Sequence, residues 1–276
     1  MPLIPVDQLA GPQFGSIAIV GAPKTGKTQS LATLHAFLVR HKLCPRMAIF
    51  DLDEDGAEPL IRIANKEGWI GDLEVYRYNV RGNRIANKEL PDRTRIPTET
   101  FINEFSGLYD RIDSRTGNWF EGKGLGAVIV DSMTALNERW FDFVLTIRHK
   151  EVGGEDKQAI TFNEWTMVKS KILETVRSGK ALPCYSVYIF HEILMQEEVS
   201  GPKATDIKTT GNLLWVPKVT GDLTTTIQKE FSTVVHTTTG WKWITRPTDR
   251  IRSVGSRSKA EMPAEVPQDF ENILTA

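Results

Sequence analysis

The sequence has no excess of charge of either sign, few cysteines and no long apolar run. Its 276 residues carry 34 Lys and Arg against 35 Asp and Glu, for a formal net charge of -1. The protein as a whole is therefore not positively charged, and any binding of nucleic acid or membrane must depend on a local basic patch. No segment approaches the ~20 apolar residues of a membrane span, and residues 1–15 lack the features of a secretion signal.

Cysteine usage points to a reducing compartment. Cys44 and Cys184 are widely separated in the chain and show neither C-x-x-C nor His/Cys metal spacing. We expect two reduced structural thiols in a cytoplasmic protein. A chain of this length and composition can bury a full core without disulfides or a structural metal.

The most informative motif is a match to G-x-x-x-x-G-K-[ST]. Its residues are Gly21, Ala22, Pro23, Lys24, Thr25, Gly26, Lys27 and Thr28. The apolar run 16–20 predicts a buried strand before the motif, and the periodicity of residues 29–41 predicts a helix after it. The alternative is a glycine-rich turn that matches by chance, but strand before and helix after favour a phosphate-binding loop. We expect Lys27 to reach the β- and γ-phosphates of ATP and the Thr28 hydroxyl to hold Mg²⁺.

Strand and helix patterns alternate along most of the chain. This predicts the α/β class, with a mostly parallel, twisted sheet and helices on both faces. From residue 215 onward the pattern indicates short strands, several of them antiparallel. Polar stretches at 81–98, 149–160 and 196–212 are predicted to be surface loops. We expect a core over residues 1–245, followed by a basic segment and a docking tail over 246–276.

Acidic residues end two predicted strands. Asp131 closes the most apolar strand and is a candidate to orient the Mg²⁺ shell, although such a residue can instead cap the next helix. Ser132 follows, where several P-loop classes have a catalytic glutamate. The general base for ATP hydrolysis must then come from another part of the chain. The acids Asp53 and Glu54 at the end of the second strand are candidates, with helix capping as the alternative.

The strand predicted at 185–190 is followed by His191 and Glu192. A polar pair in this place can sense the γ-phosphate and pass the signal to the following loop. The alternative is a histidine that is only part of the hydrogen-bonded structure.

The order of these motifs resembles the RecA-type recombinase core, from about residue 16 to residue 236. The string V-I-V-D-S-x-x-A-L at 128–136 is particularly similar to that family. The nearest resemblance is to small phage-encoded RecA-like ATPases, the group that includes single-strand annealing proteins. It implies a RecA-like ATPase in recombination, annealing or repair of phage DNA, in the host cytoplasm. It also implies a ring or filament of identical subunits, with a single-strand-binding protein as a further candidate partner.

The resemblance also implies roles for particular residues. The family's catalytic glutamate lies two residues after a strand-ending Asp, where this chain has Asp53, with Glu54 adjacent; Lys27 completes the catalytic set. His191 and Glu192 occupy the place of the phosphate-sensing pair. The loops at 149–160 and 196–212 lie where recombinases contact single-stranded DNA, with Lys203 and Lys208 in the second.

A basic stretch, residues 242–259, is interleaved with Trp241 and Trp243. It can bind DNA by neutralising phosphates and stacking bases, or supply a cation to the ATP of a neighbouring subunit, with Arg257 and Lys259 as candidates. It can also be a solvated edge.

Two other functions remain open beside a DNA-dependent ATPase. A small-molecule P-loop kinase would use the arginine-rich stretch 77–95 as a lid. An ATP-switched DNA-binding module would hydrolyse little ATP, in line with aspartate replacing glutamate at position 53.

Overall fold

The computed structural model describes residues 14–53, 56–77, 101–105, 107–108, 124–152, 161–200, 207–256 and 262–274. The longer helices are α1 (Lys27–Arg40), α2 (Glu58–Glu67), α3 (Met133–Val152) and α4 (Phe162–Ala181). A short helix, α5 (Leu223–Thr226), follows. The strands are β1 (Ser16–Gly21), β2 (Met47–Asp51), β3 (Leu73–Arg77), β4 (Ala127–Asp131), β5 (Tyr185–Ser200), β6 (Ile207–Pro217), β7 (Thr233–Thr237), β8 (Lys242–Ile244), β9 (Gly255–Ser256) and β10 (Glu265–Pro267).

The strands form one sheet in the order β10-β8-β7-β1-β5-β4-β2-β3, with β6 paired to β5 and β9 to β7. The pairs from β7 through β1, β5, β4 and β2 to β3 are all parallel. The pairs made by β6, β8, β9 and β10 are antiparallel. This confirms the predicted α/β class, with a mostly parallel sheet and antiparallel strands toward the C-terminus. The carboxyl ends of the parallel strands meet at one edge, where α/β sheets bind ligands.

Each face of the sheet has its own apolar core. Successive side chains of a strand point to opposite faces, so Ile17 and Ile19 join one cluster while Ala18 and Val20 join the other. Helices α1 and α2 cover the first face, and α3 and α4 cover the second. Both faces are therefore covered by helices, as the alternating sequence pattern predicted.

The predicted loop at 196–212 is wrong over most of its length. β5 does not end at His191 but continues to Ser200 and pairs with β6 as an antiparallel hairpin, with residues 201–206 outside the described part. The stretch 196–212 is polar at most positions and lacks the alternation of apolar and polar residues that marks a half-buried strand. Residues 149–152 of the predicted loop at 149–160 belong to α3, and the rest of that stretch lies outside the described residues.

The C-terminal tail packs on α1. Phe270 and Ile273 are fully buried in the same cluster as Leu31, Leu34 and Phe37 of that helix. Trp243 is buried as well, and its ring lies edge-on to Phe270 with centroids 5.2 Å apart. The expectation that Trp243 can stack on nucleic-acid bases is therefore wrong. None of the described helices is both long and apolar enough to cross a bilayer.

Candidate nucleotide site at the carboxyl edge of the sheet

The phosphate-binding motif connects β1 directly to α1. β1 ends at Gly21, and α1 begins at Lys27 after Gly26, whose φ of 86° lies in the left-handed region that favours glycine. A side chain at Gly21 would overlap Thr237 of β7, since an added Cβ would lie 1.9 Å from its Oγ1. Both glycines are thus required locally, and they leave the first N–H groups of α1 facing a bound anion.

Lys27 lies at the centre of this loop and is almost fully buried. Its Nζ donates to the carbonyl oxygens of Gly21 (2.9 Å) and Ala22 (2.6 Å). Burial lowers the pKa of Lys27, and the nearby carboxylates of Asp131, Glu192 and Asp53 oppose that shift. An ammonium group has three protons, so one remains for an anion bound at the loop.

Thr28 and Asp131 meet across the sheet edge. The Thr28 hydroxyl donates to Oδ2 of Asp131 over 2.6 Å, joining the start of α1 to the end of β4. Burial raises the pKa of Asp131 to about 6, and the bond from Thr28 partly offsets the shift. A hydroxyl and a carboxylate side by side are oxygen ligands that suit Mg²⁺.

Asp53 bridges β4 and β5 from the turn after β2. Its Oδ1 accepts a hydrogen bond from the Ser132 hydroxyl (3.1 Å), and its Oδ2 lies 3.1 Å from Nε2 of His191. Burial alone would raise the pKa of Asp53, but the hydrogen bonds from His191 and Ser132 and the charge of Lys27 hold it below the ordinary value. Asp53 is therefore a fixed, charged acceptor.

These groups line one cavity of about 640 Å³. Its polar lining includes Lys24, Lys27, Thr28, Asp53, Asp131 and His191. No group of three or more His, Cys, Asp or Glu in the described residues forms a preassembled metal site. Mg²⁺ is commonly held by one or two carboxylates together with substrate phosphates, so the donor set fits Mg²⁺ bound with a nucleotide.

Asp51, the last residue of β2, adds a further carboxylate at this edge of the sheet. It lies beside Asp131 in the parallel register of β2 and β4. The pKa of Asp51 is raised to about 7, chiefly by burial and also by the charges of Asp131 and Asp53, although the N–H of Ala57 opposes the shift through a bond of 3.2 Å.

His191 and Glu192 lie at different depths. His191 lines the cavity, whereas Glu192 is buried against Nε2 of His236 on β7. Sequence reasoning missed His236, because a histidine within an apolar strand has no distinctive spacing. The pair places Glu192 close enough to Lys27 to interact with its charge.

The tail also reaches the phosphate-binding loop, which the sequence did not reveal. Nε2 of Gln268 donates to the carbonyl oxygen of Thr25 over 3.0 Å. Trp241, whose side chain is 55% exposed, lies so near Gly26 that an added Cβ would be 2.7 Å from its ring. The sequence showed Trp241 within the basic stretch, but not that the turn between β7 and β8 places it beside the phosphate-binding loop.

Several predicted site residues fall outside this arrangement. Lys208 lies in strand β6 and not in a loop, and its contact with DNA stays a prediction. Arg77, at one end of the predicted kinase lid, forms an ion pair with Glu58 of α2. Four predicted site residues lie outside the described residues: Glu54, Lys203, Arg257 and Lys259.

No known family model and no curated protein matches the chain. Among solved structures, the flagellar accessory protein FlaH from Methanocaldococcus jannaschii is similar over 84% of this chain and 75% of its own, with 14% identity and a TM-score of 0.35. The KaiC-like protein PH0186 from Pyrococcus horikoshii OT3 is similar over 75% and 80%, with 11% identity and a TM-score of 0.36.

Both TM-scores are too low to define the fold, which follows instead from the strand order of the sheet. β5, which carries His191, lies between the phosphate-binding strand β1 and β4, which carries Asp131. With the phosphate-binding loop after β1 and the parallel order β3-β2-β4-β5-β1-β7, the chain has the mostly parallel α/β architecture that the sequence predicted for a P-loop core.

Proposed function

We propose that this protein binds and hydrolyses ATP with Mg²⁺ and couples that cycle to single-stranded DNA. The observation that carries the proposal is the convergence of Lys27, the Thr28–Asp131 pair and the Asp53–His191 pair on one cavity. Three separate strands and one helix deliver these groups to the same edge of the sheet. A structural glycine-rich turn would need none of them.

Each group has a distinct part in the proposed cycle. The loop N–H groups and Lys27 bind the β- and γ-phosphates, and Thr28 holds Mg²⁺ with Asp131 orienting its water shell. Bound Mg²⁺ supplies charge neutralisation for the transferred phosphoryl group. Asp53 accepts a hydrogen bond from the attacking water, while His191 fixes the orientation of that carboxylate and senses the γ-phosphate.

We propose single-stranded DNA as the partner because of the position of the β5–β6 hairpin relative to His191. His191 lies on β5, and β5 continues without a break into the β5–β6 hairpin, so a change at the γ-phosphate is connected to the hairpin through one strand. The exposed apolar residues Ile193, Leu194 and Leu213 of this hairpin suit contact with nucleobases or with a second subunit. Assembly into a ring or filament, membership of the phage annealing group and cytoplasmic location belong to the same proposal.

The test is phosphate release measured with and without single-stranded DNA, alongside sizing of the ATP-bound protein. We expect release that requires Mg²⁺, increases with DNA and accompanies a larger assembly. DNA binding should weaken steeply as salt is raised, because phosphate contacts release counterions. Hydrolysis that DNA leaves unchanged, with no DNA binding at low salt, would remove the DNA part of the proposal.

A second candidate is an ATP-switched DNA-binding module with little hydrolysis. The low pKa of Asp53 favours it, since an efficient general base has a pKa nearer the working pH. Phosphate release near background, together with DNA binding that depends on ATP, would identify this function. A small-molecule kinase stays open, because Arg77 pairs with Glu58 while residues 78–95 of the predicted lid lie outside the described residues. Phosphate transfer to a nucleoside or sugar would identify it.

A further inference from the structure

Asp51 is a buried carboxylate whose hydrogen-bonding capacity is only partly used. It is 2% exposed at the end of β2, next to Asp131 at the end of β4. Its Oδ2 accepts the backbone N–H of Ala57 over 3.2 Å. Its Oδ1 is fully buried and has no hydrogen-bond partner among the described residues.

The surroundings of Asp51 carry more negative than positive charge. Asp131 and Asp53 are both near enough to repel it, and the one cation that acts on it, Arg77, forms its ion pair with Glu58. Burying a charged carboxylate without a full set of partners costs free energy, and that cost is removed by protonation or by a cation or hydrogen-bond donor at the free oxygen.

Gly56 leaves space between these carboxylates. A Cβ added there would lie 2.9 Å from Oδ1 of Asp51, 3.2 Å from Cβ of Asp53 and 3.7 Å from Oδ2 of Asp131. Gly56 does not have a positive φ, so its backbone does not demand glycine. What a side chain would disturb is the space around the free oxygen of Asp51.

We propose that Asp51 is a second carboxylate of the Mg²⁺ site and acts through a water ligand of the ion, beside Asp131. This inference rests on the proposed function, because it takes Mg²⁺ to bind with nucleotide at Thr28. Mg²⁺ keeps several of its waters in protein sites, so a carboxylate need not touch the ion to hold it. Groups that position metal ligands in this way typically contribute 10- to 100-fold to metal affinity.

The test compares the wild type with Asp51→Asn in calorimetric binding of ADP, at a series of Mg²⁺ concentrations and in EDTA. We expect the Mg²⁺ concentration that gives half of the full affinity gain to rise by about 10- to 100-fold. Affinity in EDTA should not change, because the amide keeps the shape of the carboxylate. The matched control is Asp222→Asn, which removes the same charge from an exposed ion pair with Lys169.

Three results would overturn the inference. One is an unchanged Mg²⁺ dependence in Asp51→Asn, and another is an equal loss of affinity with and without Mg²⁺. A third concerns Gly56→Ala, which keeps all carboxylates and carries the test if Asp51→Asn does not fold. Gly56→Ala should raise the Mg²⁺ concentration that the protein requires. Gly71→Ala is its control and should not, because an added Cβ there has no neighbour within 4 Å. Equal behaviour of the two variants would contradict the inference. Failure of the wild type to bind ADP with Mg²⁺ would instead refute the proposed function.

Discussion

Gln268 in the C-terminal tail is hydrogen-bonded to Thr25 in the phosphate-binding loop, with Nε2 3.0 Å from the carbonyl oxygen. The same loop is held on its other side by Thr237 of β7, whose Oγ1 lies 2.6 Å from Oγ1 of Thr25. Two segments that are far apart in sequence from the loop therefore fix its conformation. Pre-formed backbone N–H groups bind an anion without further ordering of the loop, which favours affinity.

We expect Gln268→Leu to lower both stability and nucleotide affinity. The substitution leaves the Thr25 carbonyl buried without its donor, which costs about 1–3 kcal/mol. Urea unfolding and ADP calorimetry measure the two effects. Lys242→Ala is the control in the same region, since it breaks only an exposed ion pair with Glu265 and should change stability by less than about 1 kcal/mol. Equal effects of the two substitutions would show that the tail bond does not support the loop.

Gly26→Ala should be among the most damaging single changes in the loop. The left-handed backbone at Gly26 costs an alanine about 1–2 kcal/mol. The new Cβ would also meet the rings of Trp241 at 2.7 Å and Oε1 of Gln268 at 2.9 Å. Adding Trp241→Ala should restore part of the stability by removing one of these contacts. Thermal unfolding of the single and double variants checks this, and a double variant no more stable than Gly26→Ala would contradict it.

Asp53→Asn should separate binding from hydrolysis. The amide keeps the size of the side chain but loses the charge that accepts from water, so phosphate release should fall by about 10²–10⁴-fold while ATP affinity is kept. Lys27→Ala should instead abolish ATP binding itself. Single-turnover phosphate release and ATP calorimetry distinguish the two. Glu54→Gln tests the neighbouring acid in the same way. If neither acid substitution slows release, the base lies elsewhere.

The contribution of Asp51 and Asp131 to the stability of the nucleotide-free protein should fall as pH rises from about 4 to about 7. The pKa of Asp51 is raised to about 7 and that of Asp131 to about 6, from 3.8. In this window the folded state holds more protons than the unfolded state, so the free energy of unfolding decreases with pH. The charged groups acting on the pair are Asp53, Lys27, Arg77 and His191.

Urea unfolding at several pH values, in EDTA, measures this effect. Asp51→Asn should flatten the fall, because one of the two titrating groups is gone. Asp53 contributes in the opposite direction, but only near and below its unfolded pKa of 3.8, at the lower edge of this window, since its pKa is lowered. Stability that rises steadily with pH over this window would contradict the assignment.

The parts of the site that could be predicted from sequence are those whose chemistry is local. The run from Gly21 to Thr28 carries its own signature, because loop, strand and helix are contiguous. Asp131 was identifiable because it ends the most apolar strand. Such residues need only the carboxyl ends of parallel strands to meet at one edge, which the α/β pattern implies.

Features set by long-range packing could not be predicted. The bond from Gln268 to Thr25 depends on the tail folding back over α1, and no spacing in the sequence encodes that contact. The hairpin was missed for a different reason. Most residues of the stretch 196–212 are polar, so Thr209 and Thr210 were predicted as loop residues although they lie in β6. The order of β5 between β1 and β4 likewise has no local signature.

The continuity of β5 has a mechanical consequence. Up to His191 the strand is clamped between β1 and β4, and beyond that residue its pairing in the described structure is with β6 alone. At ~3.3 Å per residue the stretch from His191 to Ser200 is about 30 Å long, so a tilt of ~5° at its base displaces the tip by ~3 Å. A tilt of β5 at His191 would therefore be transmitted along the hairpin at least as far as the shift in β5–β6 register between Gln196 and Glu198.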